Sequence, residues 1–195
     1  IVKKIEEILN HFEKKQFSPV YLLTGEENYY IDLLASKFEE EILDESEKDF
    51  NFTTLYGLET NAKEICSFVK QYPMKKKKRL IIVKEFQQLD KKELSPLSVY
   101  IEKPLTSTIL VLVNKNKTVD KKFLDKVNKS GTVFESAKLY DNKVIPWIDN
   151  YVRSKNFKIE VSATNLIFEY LGNNLQKIAN EIDKMSINLV AGSQI

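Results

Sequence analysis

Apolar residues at Ile1, Ile5, Ile8, Leu9 and Phe12 recur at helical spacing, which predicts a short amphipathic helix ending before Phe17-Ser18-Pro19. The spacing then changes. Val20-Tyr21-Leu22-Leu23-Thr24 is a continuous apolar run closed by Gly25, the pattern of a strand buried on both faces that runs into a loop. Tyr30 to Leu43 returns to helical spacing, with Ile31, Leu34, Phe38 and Ile42 on one face. A second strand is expected from Phe50 to Tyr56, stopped by Gly57. Asn61 caps a helix carrying Ile65, Phe68 and Val69, which Pro73 is expected to stop. Leu80-Ile81-Ile82-Val83 and Thr108 to Val113 read as further buried strands. Val119 to Lys129 reads as a helix, and Thr132-Val133-Phe134 as a last strand.

Buried strands alternating with helices imply right-handed crossovers and a mostly parallel five-stranded sheet covered by helices on both faces. After Tyr140 only helical patterns remain: Asp141 caps Val144 to Val152, Ser162 to Leu171 is broken by Gly172, and Asn173 opens a helix through Met185. The expected division is an α/β domain at residues 1–140 and a small all-helical domain at 141–195.

Composition narrows this picture. The chain has 195 residues, 43% of them hydrophobic and 30% charged, enough for a real core with a polar surface. A net charge of +2 gives no global electrostatic case for nucleic acid or membrane. One cysteine, Cys66, permits no internal disulfide and points to a reducing cytoplasm. No apolar run approaches the length of a membrane span, and the first residues are not a signal peptide. The first residue is not Met, which suggests a trimmed chain.

A parallel sheet followed by a helical domain is the layout of many nucleotide-driven machines, so the first strand-to-helix turn decides the chemistry. A P-loop needs glycines for backbone N–H groups to wrap phosphate, a lysine to neutralise it and a hydroxyl for magnesium. Here the turn reads Gly25-Glu26-Glu27-Asn28 and continues Tyr29-Tyr30-Ile31-Asp32. One glycine remains, the lysine and hydroxyl positions are unfilled, and two carboxylates stand where a polyphosphate would lie. Like charges repel at that distance. The strand through Val83 continues into Lys84-Glu85, a poor magnesium site. Neither ATP hydrolysis nor any bound cofactor is expected. The single histidine, His11, allows no metal cluster or triad and reads as a surface residue, while Cys66 reads as an inert packed thiol. No catalytic residue emerges.

Four stretches carry a family resemblance. Pro19 to Asp32, Tyr72-Pro73-Met74 with the basic run into Arg79-Leu80-Ile81-Ile82-Val83-Lys84-Glu85, Val111 to Lys122, and Gly172 to Glu181 resemble, in order, segments of the bacterial DNA polymerase III clamp-loader delta subunit. The resemblance implies an AAA+-like fold that has lost ATP binding, followed by a lid domain. The family's third, collar domain has no counterpart here, so the first two domains are expected. It also implies a non-catalytic role in DNA replication: binding and opening the sliding clamp (beta), within a polymerase holoenzyme whose loader includes gamma/tau and delta-prime subunits and handles primer-template DNA. The site it implies is Tyr72, Pro73, Met74 and Lys75, where Met74 matches a family apolar position and Lys75 departs from the next one.

The residues alone support such a contact, because a proline-stopped helix leaves Tyr72 and Met74 on a turn and a thioether fills irregular pockets. The following Lys76, Lys77, Lys78 and Arg79 have three readings: a solvated loop, a rim around the Met74 anchor facing an acidic clamp, or contacts to DNA phosphates. A stand-alone nucleic-acid binder using Lys75 to Arg79 is therefore one alternative. A delta-prime-like paralogue is another, disfavoured by the missing zinc-binding cysteines.

Overall fold

The computed structural model describes residues 2–74, 77–90, 94–116, 118–187, 189–190 and 192–194. Two compact units result, Ile1–Ala137 and Lys138–Ile195.

The first unit runs β1 (Val2–Lys3), α1 (Ile5–Glu13), β2 (Val20–Gly25), α2 (Asn28–Glu41), α3 (Glu45–Asn51), β3 (Phe52–Tyr56), α4 (Ala62–Val69), β4 (Arg79–Lys84), α5 (Ser95–Glu102), β5 (Thr108–Lys115), α6 (Lys121–Ser130) and β6 (Thr132–Ser136). The strands form one sheet in the order β1-β6-β2-β5-β4-β3, and every recorded pair is parallel. The five strands expected from the sequence are present. A sixth, β1, extends the edge through Val2 beside Val133 and Lys3 beside Phe134, so the first helix starts at Ile5 instead of Ile1.

Continuous apolar runs form the central strands because both faces of the sheet are covered. Leu22, Ile81, Val83, Leu110, Leu112 and Val133 point to the α4–α5–α6 side, where they meet Ile65, Val69, Leu97, Ile101, Phe123 and Val127. Their alternate neighbours Tyr21, Leu23, Leu80, Ile82, Ile109 and Val111 point to the other side and meet Ile8 and Phe12 of α1 and Ile31, Leu34 and Phe38 of α2. Each fully buried aliphatic side chain stabilises the fold by about 1.5–3 kcal/mol before entropy is counted.

His11 is not a plain surface residue. Its Nδ1 lies 2.7 Å from the Tyr21 hydroxyl, which also accepts a 3.0 Å bond from the Ser18 N–H. Tyr21 is fully buried, and that burial pushes its phenol up to about 12 despite the Ser18 bond. Burial likewise pushes the Cys66 thiol up, as expected for a packed cysteine.

The second unit holds α7 (Asp141–Ser154), α8 (Val161–Leu171) and α9 (Leu175–Ser186). Val144, Ile148 and Val152 of α7 and Leu175, Ile178 and Ile182 of α9 are buried. The Tyr151 hydroxyl donates to the Asp183 carboxylate at 2.9 Å, and Lys155 pairs with the same carboxylate at 3.0 Å, tying α7 to α9. Asp141 is the first helical residue rather than the cap, and Asn174, one residue later than expected, caps α9 by accepting from Lys177 N–H. Among the described residues no helix is long and apolar enough to cross a membrane.

Candidate functional site

The turn after β2 is where a nucleotide machine would hold phosphate, and in this chain its Glu26, Glu27 and Tyr29 N–H groups are already engaged. The Ser136 carbonyl at the end of β6 accepts from Glu26 N–H at 2.8 Å and from Glu27 N–H at 3.4 Å. The Ser136 hydroxyl donates back to the Glu27 carbonyl at 2.7 Å. Glu27 is buried, and its carboxylate accepts from Tyr29 N–H at 3.1 Å, capping α2. A negative side chain thus occupies the helix N-terminus that would otherwise attract an anion. Only Glu26 of the two carboxylates is solvent-facing; Glu27 has turned inward because the helix needs a cap and the sequence offers no Ser, Thr or Asp there. Asn28 opens α2, half-buried.

The cleft beside this turn has a volume of about 230 Å³ and is lined by Glu26, Asn116, Thr118, Val119, Leu124 and Glu135, with Thr24 and Gly25 behind. That is below the roughly 300–1,000 Å³ of typical ligand pockets. Among the described residues its lining contains two carboxylates and no lysine or arginine. On the α2 side of the same strand ends, Lys84 pairs with Glu39 at 2.7 Å and Lys115 pairs with Asp32. The strand end that would need acidic magnesium ligands presents a lysine bound to the neighbouring helix. Among the described residues no group of three His, Cys, Asp or Glu side chains is arranged to hold a metal ion.

The opposite end of the sheet carries the second candidate site. Asn61 caps α4 by accepting from Glu64 N–H at 3.0 Å, and Ile65, Cys66 and Val69 bury the helix against the sheet. The helix ends at Val69, four residues before Pro73, whose role as the stop is therefore not needed. The Val69 carbonyl is held by the Thr108 hydroxyl at 3.1 Å, which fixes the helix end to β5. The chain then leaves the packed layer. Tyr72 is 77% exposed and Met74 55% exposed, with Pro73 half-buried between them. Two large apolar side chains two residues apart and open to solvent lose burial energy that a partner surface could supply.

Lys75 and Lys76 lie outside the described residues. Lys77 is exposed, and Lys78 is engaged with its own fold, its Nζ donating to the Thr106 carbonyl at 2.7 Å. Arg79 corrects the expectation of a basic rim running through that residue. It is the first residue of β4 and only 6% exposed, with Nη1 donating to the Phe50 carbonyl at 3.1 Å and Nη2 reaching Thr53 Oγ1 at 3.5 Å. Alternation along β4 puts its side chain on the face of Ile81, where it reaches toward β3, and burial lowers the pKa of its guanidinium.

One residue at this tip escaped sequence reading. Asn51, the last residue of α3, is 1% exposed. Its Oδ1 accepts from Met74 N–H at 2.7 Å and its Nδ2 donates to the Met74 carbonyl at 3.0 Å. The partners are 23 residues apart, and an asparagine before a strand carries no sequence signal for such a pairing.

Comparison with known proteins accords with this geometry. A family model described as "DNA polymerase III, delta subunit" matches residues 21–137, more than half of the chain. The curated DNA polymerase III subunit delta of Bacillus subtilis (strain 168) is 24% identical over an alignment of 189 residues that covers 92% of this chain and 54% of that protein. The chain thus spans about half the length of the curated relative it matches. Among solved structures, the Bacillus subtilis DNA clamp loader delta protein superposes with a TM-score of 0.75 at 24% identity, covering 98% of this chain and 60% of that one. A Thermotoga maritima DNA polymerase III gamma subunit-related protein gives 0.56 at 14% identity, with 93% and 58% covered. Thermotoga maritima RuvB gives 0.56 at 12% identity, with 96% and 62% covered. At these identities the structural likenesses establish the AAA+-like fold.

Proposed function

This chain belongs to the DNA polymerase III delta-subunit family, and on that premise we propose that it binds the sliding clamp through Tyr72 and Met74 and favours the clamp's open form. The observation that carries this reading is the tip itself: two large apolar side chains, 77% and 55% exposed, on a segment whose backbone is pinned from within. Burying each against a partner is worth about 1.5–3 kcal/mol, enough for one or two anchors to dominate a small interface. A binder shifts the clamp only as far as it prefers the open state over the closed one. The chain contributes grip and shape, while the ATP-driven partner subunits of a loader that includes gamma/tau and delta-prime, acting in the cytoplasm on primer-template DNA, time its exposure.

The filled turn after β2 supports a non-catalytic role, because an incoming phosphate would have to displace the Ser136 carbonyl from the Glu26 and Glu27 N–H groups and the Glu27 carboxylate from Tyr29 N–H. The basic run supports a DNA-binding reading less well than its composition suggests. Arg79 is buried and Lys78 is tied to Thr106, which leaves a shorter positive face.

The test is titration of the chain with its cognate sliding clamp and, separately, with primer-template DNA at low and high salt. Clamp binding that persists at high salt, with weak DNA binding that collapses there, is the expected result, since phosphate contacts are lost steeply with salt. Tight DNA binding together with no detectable clamp binding would assign the tip to nucleic acid instead.

A further inference from the structure

We infer that Asn51 is a positioning residue for the clamp-binding tip, an inference that rests on the reading of Met74 as an anchor. An exposed anchor is useful only when its backbone is already fixed, because ordering it on binding subtracts from affinity. Among the described residues from Val69 to Arg79, the segment is fixed at Val69 by Thr108 and at Lys78 by Thr106. The last turn of α3 supplies two further fixings, one in the middle and one at the end: Asn51 bonds both backbone groups of Met74, and the Phe50 carbonyl receives the Arg79 guanidinium. The Asn51 amide reproduces the donor–acceptor pair of a neighbouring strand, so it satisfies Met74 without continuing the sheet. Both Met74 backbone groups are turned toward a buried side chain, and the Met74 side chain stands 55% exposed.

Shape and chemistry both matter at position 51. Alanine removes the donor and the acceptor. Aspartate keeps the size and the acceptor for Met74 N–H, but it sets a carboxylate oxygen against the Met74 carbonyl. Each lost bond weakens the bound geometry, and two together correspond to about a tenfold loss in affinity.

The experiment is a double-mutant cycle in the 195-residue chain, with sliding-clamp affinity as the first readout and amide hydrogen exchange at Met74 as the second. Asn51→Ala is expected to weaken binding about tenfold in the wild-type background and to change it less than about twofold in a Met74→Ala background, because it acts through Met74. Asn51→Asp is expected to weaken binding at least as much as Asn51→Ala, because its buried carboxylate repels the Met74 carbonyl. An equal loss in both backgrounds overturns the inference and makes Asn51 a structural residue only. If Met74→Ala itself leaves clamp affinity unchanged, the anchor reading fails first and this inference fails with it; if Met74→Ala weakens binding and Asn51→Ala does not, this inference alone fails. Should Asn51→Ala not fold, the wild type decides: a Met74 amide protected from exchange is required, and exchange at the rate of an unstructured peptide overturns the proposal.

Discussion

Met74→Ala is expected to weaken sliding-clamp binding by about thirtyfold or more while leaving thermal stability nearly unchanged. The size follows from hot-spot behaviour, where truncating a central apolar anchor costs about 2 kcal/mol or more of binding free energy. Stability should hold because Met74 is 55% exposed and its backbone bonds to Asn51 do not involve the side chain. Exposed substitutions of this kind stay within about 0.5 kcal/mol. Calorimetric titration gives the affinity, and a thermal melt of the same preparation gives the control. Tyr72→Ala is expected to follow in the same direction. Unchanged affinity in Met74→Ala would move the contact away from this tip.

The largest effect on folding is expected from Gly25→Ala. Gly25 has φ of +126°, outside the region that side chains tolerate, and a β-carbon placed there would lie 2.1 Å from the Ser136 carbonyl oxygen. That obstacle is backbone, and it is the same carbonyl that accepts from Glu26 and Glu27. Relieving the clash therefore breaks the hydrogen bonds that close the turn. A destabilisation of about 3 kcal/mol or more is expected from strain and lost bonds together, read as a shift in the denaturant midpoint with an unchanged slope. A wild-type midpoint in Gly25→Ala would mean that the loop can move at little cost, and that its donors are less committed than their distances suggest.

The same physics explains what could be read in the chain and what could not. β2, β4 and β5 were legible because strands buried on both faces need no polar alternation, and their runs of Val, Ile and Leu admit few other readings. The filled turn was legible in part. The missing lysine and hydroxyl are visible as letters, but the inward turn of Glu27 depends on Ser136, which is 109 residues away.

α3 was missed because Glu45–Asn51 carries a single large apolar residue, Phe50, and so has no periodicity to detect. Its ends are secured by local bonds, such as Asp44 N–H to the Glu47 carboxylate at 2.9 Å, and by an ion pair between Lys48 and Glu45. β1 is two residues long and exists only by pairing with β6. α5 carries Pro96 in its first turn, and its stretch offers only eight residues of pattern. Arg79 was grouped with the lysines before it because they are adjacent in sequence. Its place as the first residue of β4, beside Phe50 and Thr53, is what buries it. Met74 itself was legible as an apolar residue after a helix, whereas the asparagine that holds it was not, since nothing local links positions 51 and 74.

The fold is that of nucleotide-driven machines, three N–H groups of its phosphate turn are occupied by its own chain, and its opposite end carries the proposed clamp contact. The most direct measurement is calorimetric titration of the sliding clamp into this chain, run once without nucleotide and once with saturating magnesium-ATP. The account predicts a single binding isotherm, the same within error in both, and no heat from nucleotide alone. Clamp affinity that appears only with nucleotide, or saturable heat from magnesium-ATP by itself, would contradict it.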